Sequence, residues 1–424
     1  MPPQVMRGWE SVAQAGQLYS AGWNNYKTAL LDSAVNDLGI NRVRVEVKSG
    51  IENPVDYFTL WRNGQITESQ YNAQRYNTIN DNSNANLINS AGFKFASLDS
   101  EITNIVVPMR DLWTARGETL WINVCFVDFG SSAFELKSNP QEYAEFVLAT
   151  YQHIQNVFGF VPDSWEVILE PDTAGASWSP QQTANAIAAA GARLTAAGYT
   201  PNFTAPSPTD AGNMVANSNY VGAINSTATA MGFVGELSYH LYAGNTIPII
   251  TSIGDAGKTY GKRTAMLELI GADYTTLYQN IFYGLNTSFE QFTLAWFLND
   301  GGDNGGHYYV VDDSNPSAPT FTMGSRTKIL RQYFKFIRTG ALRIGATSNN
   351  AGLAPLAFIN QNTKYVVAVK STAGGTFTIS GIPSGTCGIK YSTDAAYDID
   401  LPDQPCASTV TTIPASGVIT VYQR

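Results

Sequence analysis

Apolar residues in this chain recur at two periods that take turns. Ile40-Asn41-Arg42-Val43-Arg44-Val45-Glu46-Val47 alternates strictly and predicts a strand with Arg42, Arg44 and Glu46 on one face and three valines on the other. Gln4 to Val12 reads as an earlier strand, and Tyr26 to Leu38 as a helix that stops before Gly39. From Lys48 to about Asp99 no period holds, and asparagines crowd the segment; a connection this long is functional or disordered, and it is expected to wall one side of a cleft. Order then resumes as strand and helix in turn. Helices are predicted over Ile102–Arg116, from Asn139-Pro140-Gln141-Glu142, from Ser179-Pro180-Gln181-Gln182 to Gly198, over most of 208–229, over Thr275–Leu285 and over Ser325–Arg338. Strands are predicted over Thr119–Val127, Ser164–Glu170, Thr200–Ala205, Phe233–Tyr242, Lys262–Ile270 and Phe292–Leu298.

Eight strands separated by helices predict an α/β fold, a (β/α)8 TIM barrel over residues 1–338. No glycine-rich phosphate loop follows the first strand, which argues against an open dinucleotide-binding sheet. After Gly340 the texture changes to short β-type runs such as Tyr365–Val369, Thr376–Ile379 and Gly417–Tyr422, so residues 339–424 are expected to form an all-β sandwich domain.

Charged residues make up only 14 % of the chain, against about 25 % in ordinary soluble domains, and the formal charge is -9. Neither nucleic acid nor an anionic membrane suits such a surface as partner. No run of eighteen apolar residues is present, and Met1-Pro2-Pro3-Gln4 has no basic leader region, so a signal peptide is absent or already removed. Cys125 sits in an apolar strand as a core thiol; Cys387 and Cys406 lie in turn-rich sequence and could pair, which would imply an oxidising compartment. A secreted monomer is the expectation.

Glu170 and Glu268 each end an otherwise apolar strand, the fourth and the seventh. A lone carboxylate there is costly unless bonded, paired or used. Active sites of such barrels lie at the carboxyl ends of strands, and two facing carboxyls can cleave a glycosidic bond, one as acid and one as nucleophile. Alternatively either glutamate pairs with Arg42 or Arg44, and Arg44 is itself a candidate substrate contact. Glu166, deeper on the Glu170 face, is expected to be structural and to pair with a barrel arginine. His240 and Tyr242 end the sixth strand beside Glu268, where the tyrosine could hydrogen-bond the nucleophile; core packing is the other reading. Trp296 on the eighth strand and Trp178 after Glu170-Pro171-Asp172 are candidate sugar platforms or core residues. No Cys/His spacing matches a zinc site, and no cofactor is expected. Asp300, Asp303, Asn304, Asp312 and Asp313 could hold Ca²⁺, though loop acids are usually only solvated.

The pattern resembles the clan A retaining glycoside hydrolases, and more narrowly glycoside hydrolase family 30. Gln4-Val5-Met6-Arg7-Gly8-Trp9 is similar to that family's opening, His240-Leu241-Tyr242 to its sixth strand, and Phe336-Ile337-Arg338-Thr339-Gly340-Ala341-Leu342-Arg343-Ile344 to its junction between barrel and side β-domain. The resemblance implies Glu170 as acid/base, Glu268 as nucleophile, a carbohydrate substrate with β linkages, and pairing of residues 1–7 with the side domain. One position departs from the clan: where it places Asn before the acid/base, this chain has Leu169. A non-catalytic carbohydrate-binding barrel is the alternative, and a lyase or aldolase would want a Schiff-base lysine or a metal at a strand end.

Overall fold

The computed structural model describes residues 3–130 and 132–424. Strands β1 (Gly8–Val12), β2 (Arg42–Lys48), β3 (Trp121–Val127), β4 (Ser164–Glu166), β5 (Phe203–Pro206), β6 (Val234–Tyr239), β7 (Arg263–Met266) and β8 (Asn286–Phe297) follow one another in order, and β1 returns to β8. The first eight strands thus close a barrel, with helices in the connections. β9 (His307–Asp312) runs parallel to β8, and β10 (Thr320–Met323) is antiparallel to β9.

Two compact units divide the chain, and the division cuts through the barrel rather than between barrel and C-terminal sheets. One holds Arg42–Thr114 and Glu118–Leu267, and therefore β2 to β7, paired parallel in unbroken sequence. In β2 the alternation works as predicted: Val43, Val45 and Val47 are fully buried on one face, while Arg42 and Arg44 are equally buried on the other. Such a face survives only if its charges are satisfied. Arg42 donates from both Nη atoms to Glu236 of β6, at 3.2 and 2.8 Å, and Glu166 accepts from Asn123 Nδ2 at 2.9 Å. In place of the expected arginine, Glu166 takes Asn123 of β3, and the glutamate that takes Arg42 is Glu236. Because removing one partner breaks a buried ion pair, Glu236→Ala is expected to destabilise the fold by about 3–5 kcal/mol, read as a fall in the denaturant midpoint.

The other unit holds the chain up to Asn41 together with Glu268–Arg424 and the short piece Ala115–Gly117. Here β1 pairs with β8, and the C-terminal strands form a six-stranded antiparallel sheet, in the order β11 (Leu342–Ile344), β12 (Leu353–Ile359), β13 (Tyr365–Ser371), β18 (Gly417–Gln423), β15 (Thr386–Thr393) and β16 (Ala396–Pro405). β14 (Gly375–Ser380) and β17 (Ser408–Ile413) make a second, two-stranded sheet. Val367, Val369, Ile389, Ile413, Ile419 and Val421 share one buried cluster with Cys387 and Cys406, and these cysteines form a disulfide. Val5 bridges Leu342, and Met6 donates its amide to Ala341, so the N-terminal residues join the edge of the larger sheet.

The segment 48–99 is ordered. It carries short helices at Tyr57–Arg62, Glu68–Asn72 and Ala96–Glu101. Five or six residues are too few for a helical period to show. Its asparagines build turns instead: the backbone amides of Asn82, Asn84 and Asn86 each donate to the side-chain oxygen of the asparagine two residues earlier, at 3.3, 2.8 and 3.1 Å.

Candidate active site

The regular ladder of β4 ends at Glu166, four residues before the predicted end, yet the chain stays extended between its neighbours. Val167 donates to Thr204 O, Leu169 to Phe126 O and Glu170 to Ser207 O, so the backbone is tied alternately to both sides. Glu170 itself has φ +50°, in the left-handed region that a non-glycine residue occupies at a cost of about 1–2 kcal/mol. The turn that follows holds it there. Thr173 donates its amide and its hydroxyl to Glu170 O, and Asp172 accepts from the amides of Thr209 and Asp210 and from Asn213 Nδ2, tethering this turn to the loop after β5.

Glu170 is partly exposed, and its Oε1 lies 3.0 Å from Nδ1 of His240, which is fully buried just beyond β6. Either partner can hold the shared proton: the imidazole N–H donates to a carboxylate, or the carboxylic O–H donates to an unprotonated Nδ1. His240 therefore meets Glu170 beyond β4. Tyr242 stands over the imidazole edge-on, with ring centroids 6.3 Å apart, and is 39 % exposed.

Glu268 comes two residues after the ladder of β7 ends. Leu267 donates to Tyr239 O, and the fully buried Arg44 donates from Nη1 to Leu267 O at 3.1 Å. Arg44, a candidate substrate contact, thus lies beneath the mouth and steadies the residue before Glu268. Glu268 is 6 % exposed. Elsewhere Asp81, Glu142 and Glu145 bring one carboxylate oxygen each within 4.8 Å of one another, a grouping with the atoms to hold a metal ion.

The two tryptophans part company. Trp296 is partly exposed at the end of β8, its Nε1 donates to Asp300, and the half-exposed ring of Tyr19 meets it edge-on at 5.7 Å. Trp178 is only 1 % exposed and packs edge-on against Phe126 and Tyr143, so no face is left for a sugar. It is a core residue, and its expected role as a platform is corrected. Leu169 has an equally plain reason to be apolar: it packs with Cys125, Val127, Tyr76 and Phe129. Through Tyr76 the asparagine-rich segment reaches the wall beside Glu170.

Sequence reading missed Asp172, Tyr19 and the acidic cluster around Glu145. Asp172 stands in the run Glu170-Pro171-Asp172, where a carboxylate just after a strand end was a usable signal; a lone loop tyrosine such as Tyr19 carries none.

No family model matches the sequence, and no curated protein does. Solved structures do. A family 30 endoxylanase from Clostridium papyrosolvens aligns with 100 % of this chain and 97 % of its own at 16 % identity and a TM-score of 0.70. The catalytic domain of family 30 xylanase C from Talaromyces cellulolyticus aligns with 100 % of this chain and 98 % of its own at 15 % identity and a TM-score of 0.71. An endo-β-1,6-glucanase aligns with 99 % of this chain and 92 % of its own at 16 % identity and a TM-score of 0.66. Over its whole length the chain has the fold of the glycoside hydrolase family 30 enzymes, a closed parallel barrel with a C-terminal antiparallel β region.

Proposed function

We propose that this protein is a secreted retaining glycoside hydrolase acting on β-linked polysaccharide or oligosaccharide, with Glu268 as nucleophile and Glu170 as acid/base. The observation that carries the reading is that Glu170 and Glu268 each stand just beyond the carboxyl end of a barrel strand, β4 and β7, in a chain with the fold of the family 30 enzymes. Retaining enzymes hold their carboxyls roughly 5–5.5 Å apart, whereas inverting ones leave roughly 6.5–9.5 Å for a water. Glu268 would attack the anomeric carbon while Glu170 gives its proton to the leaving oxygen; Glu170 would then take a proton from the water that releases the sugar. The contact with His240 suits a residue that alternates in this way, because it can be satisfied in both protonation states. The presence of xylanases and an endo-β-1,6-glucanase among structures of the same fold supports carbohydrate as substrate.

A panel of xylans, β-glucans and aryl β-glycosides, with proton NMR of the first product formed, tests the reading. Turnover with β product first is expected. Product of the α configuration would contradict the retaining mechanism. Leu169 favours the second reading, a carbohydrate-binding barrel without turnover, which predicts binding of a polysaccharide and no hydrolysis of any.

Trp296 and Tyr19 are proposed as the stacking surface for one sugar ring. Trp296→Ala should raise KM roughly tenfold, equivalent to about 1.4 kcal/mol, and change kcat less than about twofold. A fall in kcat with KM unchanged would contradict that role.

A further inference from the structure

Four carboxylates meet away from the Glu170 site. Glu142 and Glu145 lie nearly one turn apart at the start of the helix Pro140–Phe158, Asp81 belongs to the asparagine-rich segment, and Glu52 follows β2. One oxygen each of Asp81, Glu142 and Glu145 lie within 4.8 Å of one another, and Glu52 Oε1 accepts the amide of Asp81 at 3.0 Å. Glu145 is 1 % exposed and Glu52 2 %. Both oxygens of Glu145, Oε2 of Glu52 and Oδ1 of Asp81 are buried without a hydrogen-bond partner among the described residues. The nearby guanidinium of Arg193 donates to Asn86 Oδ1 at 2.7 Å.

Buried carboxylates without partners are among the costliest features a fold can carry, and they persist where something positive joins them. All the donors here are oxygens, which suits a hard cation rather than zinc. An all-carboxylate set drawn from three separate segments suits Ca²⁺, which accepts irregular oxygen cages, better than Mg²⁺, which demands a near-ideal octahedron and keeps most of its waters. We infer that Asp81, Glu142 and Glu145, backed by Glu52, form a Ca²⁺ site that fastens the asparagine-rich segment to the barrel helix.

The test is calorimetric titration of CaCl₂ into the EDTA-treated full chain at pH 8, with thermal unfolding with and without Ca²⁺. One site with a dissociation constant below about 1 mM is expected, and Ca²⁺ in hundredfold excess over that constant should raise the unfolding midpoint by about 2–4 °C. Glu145→Gln, which keeps the shape of a protonated carboxyl, should abolish the heat and the Ca²⁺-dependent shift; Asp81→Asn is the second variant should the first not fold. Absence of binding heat in the wild type, heat unchanged in these variants, or equal binding of Mg²⁺ would each overturn the proposal.

Discussion

Glu268→Ala is expected to lose turnover on every glycoside offered, by at least about 10⁴-fold in kcat, with the unfolding midpoint little changed. The proposed covalent step needs a carboxylate at the anomeric carbon, and alanine has nothing to replace it; at 1.36 kcal/mol per decade the loss corresponds to about 5.5 kcal/mol of transition-state stabilisation. The loss should not depend on the leaving group, because a nucleophile is required however well that group departs. Parallel kinetics on an aryl glycoside and a polysaccharide check this. Residual activity within about tenfold of wild type on either would remove Glu268 from the role.

Glu170→Ala should behave differently. Loss of a general acid/base costs typically about 10²–10⁴-fold, but the cost falls on steps that need the proton. On polysaccharide the full loss is expected, whereas an aryl glycoside with an acidic phenol should still react in the first step and stall in the second. Azide, a small anion needing no base, should then enter where the carboxylate stood, restore turnover and leave as a glycosyl azide of retained configuration. Glu170→Gln separates charge from position, since it keeps a group to meet His240 Nδ1 at the observed 3.0 Å. If azide rescues neither variant, the acid/base assignment fails.

The barrel was legible because its strands carry their period plainly. β2 alternates without a break and keeps its arginines on one face, and the strands bearing Glu170 and Glu268 are apolar runs ending in acid. Strand ends were less legible. Sequence alone extended the fourth strand to Glu170, and the backbone does remain bonded on both sides to that point, but with φ +50° at the last residue, which hydrophobic pattern does not encode. The start of β8 was missed by six residues because Asn286, Thr287 and Ser288 are polar yet fully packed.

Within the site, the two glutamates and His240 were readable as residues, and their arrangement was not. Nothing in the run Tyr239-His240-Leu241-Tyr242 says that the imidazole turns to Glu170. Trp178, past the fourth strand, and Trp296, near the end of the eighth, look alike as candidate platforms in sequence, and burial alone separates a core indole from a partly exposed one. Arg44 was visible as a charge on a strand face, but its bond to the carbonyl of Leu267 depends on a residue 223 positions away. The acidic cluster was invisible for the same reason, since Glu52, Asp81 and the two helix glutamates come from three separate segments.

The division of labour between the two glutamates is tested most directly by trapping. A 2-deoxy-2-fluoro β-glycosyl fluoride of whichever sugar the protein turns over forms the covalent intermediate and slows its breakdown, and peptide mapping by mass spectrometry then locates the label. The predicted result is one sugar per chain, carried by the peptide containing Glu268 and by Glu268 within it. Label on Glu170 or on another carboxylate, or time-dependent turnover with no covalent sugar at all, would contradict the account.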